Sequence, residues 1–252
     1  MHPVLFQLGP VTLSSYGAMV VLAVALFTWL TPRAALGFGR PPVMRSSQWA
    51  DLACASVIGG ILGGRLFYVG LHPQLVMEAP WEMLAVWHGG LVWYGGLAGG
   101  LVGAWSYARR HRVPLWALLD VAAPFLALAH ALGRIGCFLN GCCYGRPTTA
   151  WYGVLFPGHA EPVIPTQLFE TAGLLVVFVA LRGLQQRPGA LRRAGWVFGW
   201  YLASYAGLRF GLEFLRGDQS PFLGPLTLQQ IISVGLAGIG LRLILRPSCH
   251  DG

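Results

Sequence analysis

Two arginines bracket three cysteines in RIGCFLNGCCYGR, residues 134–146. A guanidinium binds phosphate or carboxylate through a planar fork of donors. A thiol offers a nucleophile, a disulfide, a metal ligand or small apolar packing. Cys137, Cys142 and Cys143 form a C-x4-C-C pattern, without the paired C-x-x-C spacing of structural zinc. Packing, a disulfide or a place in the wall of a site stay open for them, and the spacing predicts no metal. Cys54 and Cys249 are expected to be structural. A second string, YAGLRFGLEFLRGD, sets Arg209, Glu213 and Arg216 at i, i+4 and i+7, on one face of a helix. An Arg209–Glu213 pair accounts for two of these charges and leaves Arg216 and Arg134 in surplus. His130 lies one turn before Arg134, and His88 sits among Trp81, Trp87, Trp93 and Tyr94. Tyr16 is an aromatic with a hydroxyl at the start of the first apolar run.

The elements that position these residues are apolar. The chain has 252 residues, of which 55% are hydrophobic and 10% charged, whereas a soluble domain carries about 25% charged residues. Its mean hydropathy is +0.59. Seven runs are long enough to cross hydrocarbon as helices, at about 14–31, 49–71, 88–107, 115–136, 166–182, 196–215 and 226–245. The expected fold is an all-α polytopic membrane protein forming one domain over residues 1–252. A cleavable signal peptide needs a positive n-region, and MHPVLFQLGPVTL has none, so the first run is read as a retained span. Gly59 and Gly63, and Gly95, Gly99 and Gly103, recur at four-residue spacing, a device for close helix approach.

The formal charge of +8 suggests nucleic acid at first sight, yet every basic residue is arginine and most lie at the ends of apolar runs. Of seventeen arginines, twelve fall in alternate connections: Arg33, Arg40, Arg45, Arg109, Arg110, Arg112, Arg182, Arg187, Arg192, Arg193, Arg242 and Arg246. The intervening connections carry Glu78, Glu82 and Asp218. The positive-inside rule then predicts an outer N-terminus and a cytoplasmic C-terminus. Arg65, Arg134, Arg146, Arg209 and Arg216 break the pattern. An ionisable group within a span is costly, and its default reading is functional. Arginines in surplus at one membrane face point to an anionic ligand, and the abundant phosphate of a membrane is a phospholipid headgroup.

Six strings in order resemble the bacterial prolipoprotein diacylglyceryl transferases over nearly the whole chain. They are FQLGPVTLSSYG, GGRLFYV, WHGGLVWYGGLAGG, RIGCFLNGCCYGR, PTQLFE and YAGLRFGLEFLRGD. The resemblance implies transfer of a diacylglyceryl group from phosphatidylglycerol to the lipobox cysteine of a prolipoprotein signal peptide, with a thioether formed and glycerol phosphate released. It implies the bacterial cytoplasmic (inner) membrane, with the active site toward the outer face, and a phosphatidylglycerol and a prolipoprotein as partners. Arg134 and Arg209 match the family's phosphate-binding arginines, and Tyr16 its N-terminal tyrosine. Asn140, Gly145 and Glu213 fall on its signature positions; Arg65, Arg146 and Arg216 complete the expected substrate-binding set.

This chain also departs from the family. Tyr94 stands at the position of the catalytic histidine, and His88 lies six residues too early to be its equivalent. Cys137 and Cys142 replace the signature's first asparagine and its acid. Tyr94, His88, Arg134 and Arg209 form the expected catalytic set, with His130 a further candidate for the base. The nucleophile is the substrate's thiolate, the leaving phosphate needs fixed positive charge, and no metal or organic cofactor is expected. A non-catalytic protein that binds or translocates anionic lipid, and a paralogous transferase with another acceptor, are the competing expectations.

Overall fold

The computed structural model describes residues 4–8, 11–36, 43–74, 79–86, 89–187, 189–217 and 221–246. Among them are seven α-helices: α1 (Ser15–Leu36), α2 (Ser46–Leu71), α3 (Trp93–Arg110), α4 (Leu115–Asn140), α5 (Thr166–Gln185), α6 (Trp196–Glu213) and α7 (Leu228–Ile244). Each overlaps one of the expected apolar runs, and five extend beyond its ends. Four, α1, α2, α4 and α5, are long and apolar enough to cross a membrane, and the protein is a polytopic helical membrane protein. Two small antiparallel hairpins were not expected. One pairs β1 (Val4–Leu8) with β2 (Val11–Ser14), and the other pairs β3 (Pro221–Leu223) with β4 (Leu226–Thr227).

Several boundaries differ from the expectation for local reasons. The third run begins as a helix only at Trp93, because Gly89 and Gly90 both adopt positive φ, +84° and +70°. The fourth helix runs on to Asn140, so Cys137 belongs to the helix and not to a loop. The sixth ends at Glu213, and a turn closed by Arg216 N–H on the Glu213 carbonyl (3.2 Å) follows. Arg216 therefore leaves the helical face that its i+7 spacing predicted.

The chain divides into two compact units. The first holds residues 1–34 and 119–252, and the second holds residues 35–118. In the first, Ala123, Ala127 and Ala131 form a ridge on α4 that packs on Leu174, Val177 and Leu181 of α5 and Val197 of α6. Small residues at four-residue spacing let these helices come close. Buried Asp120 then ties one end of the packing. Its carboxylate accepts the N–H groups of Gly195 (2.6 Å) and Phe198 (2.9 Å) at the start of α6, satisfying donors a helix N-terminus leaves open. Gln185 of α5 donates to the Asp120 carbonyl at 2.7 Å.

In the second unit, α2 and α3 meet along a glycine seam. A Cβ at Gly99 would strike the Gly59 carbonyl, and one at Gly103 the Ala55 carbonyl. One at Gly63 would lie 2.8 Å from the Gly99 Cα. The four-residue glycine spacing is thus a steric requirement of the pairing.

Candidate active site

The site lies in the first unit, at the end of α4 remote from Asp120. Asp120 and Arg134 are about 21 Å apart along the helix axis. His130 and Arg134, one turn apart on α4, face α5, where the string PTQLFE supplies buried Glu170. The Glu170 Oε1 atom lies 3.0 Å from Arg134 Nε and 3.6 Å from His130 Nε2. Arg134 was expected to lack an acid; Glu170 is its partner. The pairing joins two helices across a long loop, so no helical spacing could reveal it.

From α6, the Tyr205 ring packs on the His130 imidazole at 4.9 Å between centroids. One turn later Arg209 Nη2 lies 2.9 Å from Glu213 Oε2, the pair that the i, i+4 spacing predicted. Glu213 is only 1% exposed, and its other oxygen accepts the Thr227 hydroxyl at 2.8 Å. Thr227 also caps α7, accepting Gln230 N–H at 3.3 Å. The same threonine therefore fixes the carboxylate beside Arg209 and the start of the next helix.

Both guanidiniums are largely buried, at 18% and 11% exposure. Neither ionic contact has hydrogen-bond alignment at the carboxylate oxygen. Arg134 meets its acid at Nε, and a guanidinium carries five N–H donors, more than one carboxylate oxygen can take. Both also lie within electrostatic reach of Tyr205, and two largely buried arginines balanced by buried carboxylates can receive an anionic group without standing bare in hydrocarbon when it is absent.

The loop after α4 is held by side chains of the next helix. Thr166 Oγ1 donates to the Cys143 carbonyl at 2.8 Å, and Gln167 Nε2 to the Cys142 carbonyl at 2.6 Å. Gly145 N–H donates to the Ile164 carbonyl (2.8 Å), and Arg146 N–H to the Leu215 carbonyl (3.0 Å). A Cβ at Gly145 would press on the Leu215 carbonyl at 2.5 Å, so the residue must be glycine for the segment to thread between its neighbours. Asn140, the last residue of α4, is exposed, as is the Arg146 side chain; Arg216 is half-buried. Tyr16 on α1 packs over Gly136, where a Cβ would meet its ring at 3.1 Å, and it lies within electrostatic reach of Arg134. Tyr16, Asn140, Gly145, Arg146, Arg216 and the two arginine–glutamate pairs therefore all belong to one unit.

Arg65 and Tyr94 belong to the second unit. Arg65, 6% exposed, donates to the carbonyls of Met83 (3.2 Å), Gly89 (2.6 Å), Gly90 and Glu82. Its guanidinium thus joins residues 82–83 to residues 89–90, just before α3. Tyr94 is in the first turn of α3 and 47% exposed. His88 lies outside the described residues.

Sequence reasoning passed over Glu170, although PTQLFE had been singled out as a string. An acid inside an apolar run was the available signal. Thr166, Gln167 and Tyr205 gave none, because their roles depend on which backbone groups the fold places opposite them.

Residues 3–246 match the family model described as prolipoprotein diacylglyceryl transferase. The phosphatidylglycerol–prolipoprotein diacylglyceryl transferase of Ruegeria pomeroyi is 35% identical over 259 residues, covering 92% of this chain and 88% of the relative. That of Synechococcus elongatus is 34% identical, covering 95% and 85%. That of Symbiobacterium thermophilum is 34% identical, covering 99% and 95%. With the match spanning nearly the whole sequence, this chain belongs to the prolipoprotein diacylglyceryl transferase family.

Proposed function

We propose that this protein transfers the diacylglyceryl group of phosphatidylglycerol to the lipobox cysteine of a prolipoprotein. The observation that carries the reading is the pair of largely buried arginines, Arg134 and Arg209, each beside a buried glutamate and each with donors left over. The substrate thiol gives up its proton, and its sulfur attacks the glyceryl carbon that bears the phosphate. The carbon–oxygen bond breaks as the thioether forms, and glycerol phosphate leaves. Negative charge gathers on the departing phosphate, where fixed guanidinium donors stabilise it more than they stabilise the intact diester.

Arg134 and Arg209 hold the phosphate. Tyr16, Asn140, Gly145, Arg146 and Arg216 shape the headgroup and peptide site, and Glu213 orients Arg209. Arg65 serves by joining residues 82–83 to residues 89–90. Tyr94 stands at the family's histidine position, and His88 and His130 are the imidazoles available as base. His130 is supported by its contact with Glu170, which can hold the ring in one orientation. The enzyme spans the cytoplasmic membrane seven times with its N-terminus outside, and the site opens toward the outer face. The arginine distribution supports that orientation.

The test is incubation of the purified protein with phosphatidylglycerol and a lipobox peptide. A diacylglyceryl mass on the peptide cysteine is expected. Lipid binding without that product would instead favour a non-catalytic lipid-handling protein, the reading to which Tyr94 in place of histidine lends support.

A further inference from the structure

Helix α4 ends in a turn that brings thiols together. Cys142 N–H donates to the Cys137 carbonyl (3.1 Å), and Gly141 N–H to the Phe138 carbonyl (3.2 Å). Gly141 has φ +74°. These are the two bonds and the left-handed residue of a Schellman motif, which sets the side chain just past the cap against one in the last helical turn. Here those two side chains are Cys142 and Cys137. Cys143 is itself left-handed, at φ +63°, and Thr166 and Gln167 hold the carbonyls of Cys143 and Cys142. The outcome is three half-buried free thiols whose Sγ atoms all lie within 4.8 Å of one another.

We propose that Cys137, Cys142 and Cys143 form a three-sulfur site for a soft, thiophilic monovalent ion of the Cu(I) type. Three sulfurs about 2.3 Å from one ion in a plane stand about 4.0 Å apart, so closing the cluster takes small rotations and no backbone change. Thiolates select soft ions. Among the described residues no fourth histidine, cysteine or carboxylate joins the group, which disfavours the four-coordinate geometry of structural zinc. The C-x4-C-C spacing concealed the site because motif spacings count residues, whereas here the helix cap sets the distance. Binding forms three metal–sulfur bonds and releases the protons that the thiols still carry, with no change of oxidation state when the ion arrives as Cu(I). Arg134 and Arg216 lie within electrostatic reach of Cys143 and offset the negative charge of the complex.

The experiment titrates Cu(I) into the reduced, detergent-purified protein under anaerobic conditions, against a chromogenic Cu(I) chelator. One equivalent should be retained, with about three sulfur neighbours near 2.3 Å in X-ray absorption. Cys137→Ser, Cys142→Ser and Cys143→Ser should each weaken retention by more than the roughly 10–100-fold that loss of an outer hydrogen-bond partner costs a metal site. Cys54→Ser should leave retention unchanged. Should a serine variant fail to fold, mass counting on the unaltered protein still decides: bound Cu(I) should shield three thiols from alkylation. Loss of copper at the same chelator concentration as the triple serine variant would overturn the proposal, as would three thiols alkylating freely in the loaded protein. Tighter retention of Zn²⁺ in a four-coordinate site would overturn it too.

Discussion

Glu170 Oε1 lies 3.0 Å from Arg134 Nε. The inner nitrogen of the guanidinium thus has a counter-charge beside it, and an acid placed there competes less with phosphate for the outer donors than one seated across the fork.

Arg134→Ala and Arg209→Ala should each lower kcat by about 10²–10³-fold, the usual cost of losing one donor to a developing oxyanion. Arg→Lys at either position should recover little, because an ammonium lacks the fork. The check is single-turnover transfer to a lipobox peptide with matched amounts of folded protein. Undiminished turnover by either alanine variant would take phosphate binding away from that residue.

Glu170→Leu should destabilise the first unit by about 3–5 kcal/mol, because it leaves a largely buried guanidinium without its counter-charge. Glu170→Gln should be milder, retaining an acceptor of the same shape. Unfolding of both variants in detergent ranks them, and equal stabilities would mean the charge is not what Glu170 contributes.

Thr227→Val removes a cap and a hydroxyl bond to Glu213 in one step. The loss of the cap should cost about 1 kcal/mol. The freed Glu213 should also lower kcat/KM, by less than Arg209→Ala does. Thr227→Ser should restore both quantities, which separates the hydroxyl's effect from that of the methyl group.

Tyr94→Phe should lower kcat about 10²–10⁴-fold without weakening lipid binding, if the hydroxyl shares in proton transfer. A loss of roughly tenfold or less would assign it a single positioning hydrogen bond. His88→Ala and His130→Ala are the companion measurements, and the variant that flattens the pH–rate profile identifies the base.

Cys143 should stay open to alkylation at lower pH than a free cysteine peptide. Its thiol is held below the ordinary range by sulfur hydrogen bonds from Cys137 and Cys142, with Arg134 and Arg216 adding positive charge against the opposing effect of burial. A depressed value means that thiolate persists as pH falls. Its labelling rate should therefore fall less steeply with pH than that of the free peptide, which slows about tenfold per unit below its own pKa. Parallel pH dependences for Cys143, followed by peptide mass mapping, and for the free peptide would contradict this.

The helices were legible because apolar length needs no knowledge of neighbours, and so was the Arg209–Glu213 pair, which sits within one helix. What escaped was relational. Arg134 and Glu170 belong to different helices, and the carbonyls that Thr166 and Gln167 bind are set by a helix cap. The hairpin of β1 and β2 escaped because MHPVLFQLGPVTL was weighed only as the segment before a span, and strand pairing between its two halves was not sought. Arg216 was placed on a helical face that the chain abandons after Glu213.

The glycine seam has a consequence for how the protein is made. Helix α3 has 18 residues, carries five glycines and ends in two arginines, and it falls short of the apolarity of a self-sufficient span. Each glycine also costs a helix about 0.8–1.0 kcal/mol relative to alanine. Such a segment partitions poorly from the translocon as a single helix. Packing on α2, whose glycines offer a matching backbone surface, offsets that shortfall, so a bulky residue at Gly99 should leave α3 poorly inserted before any question of catalysis arises.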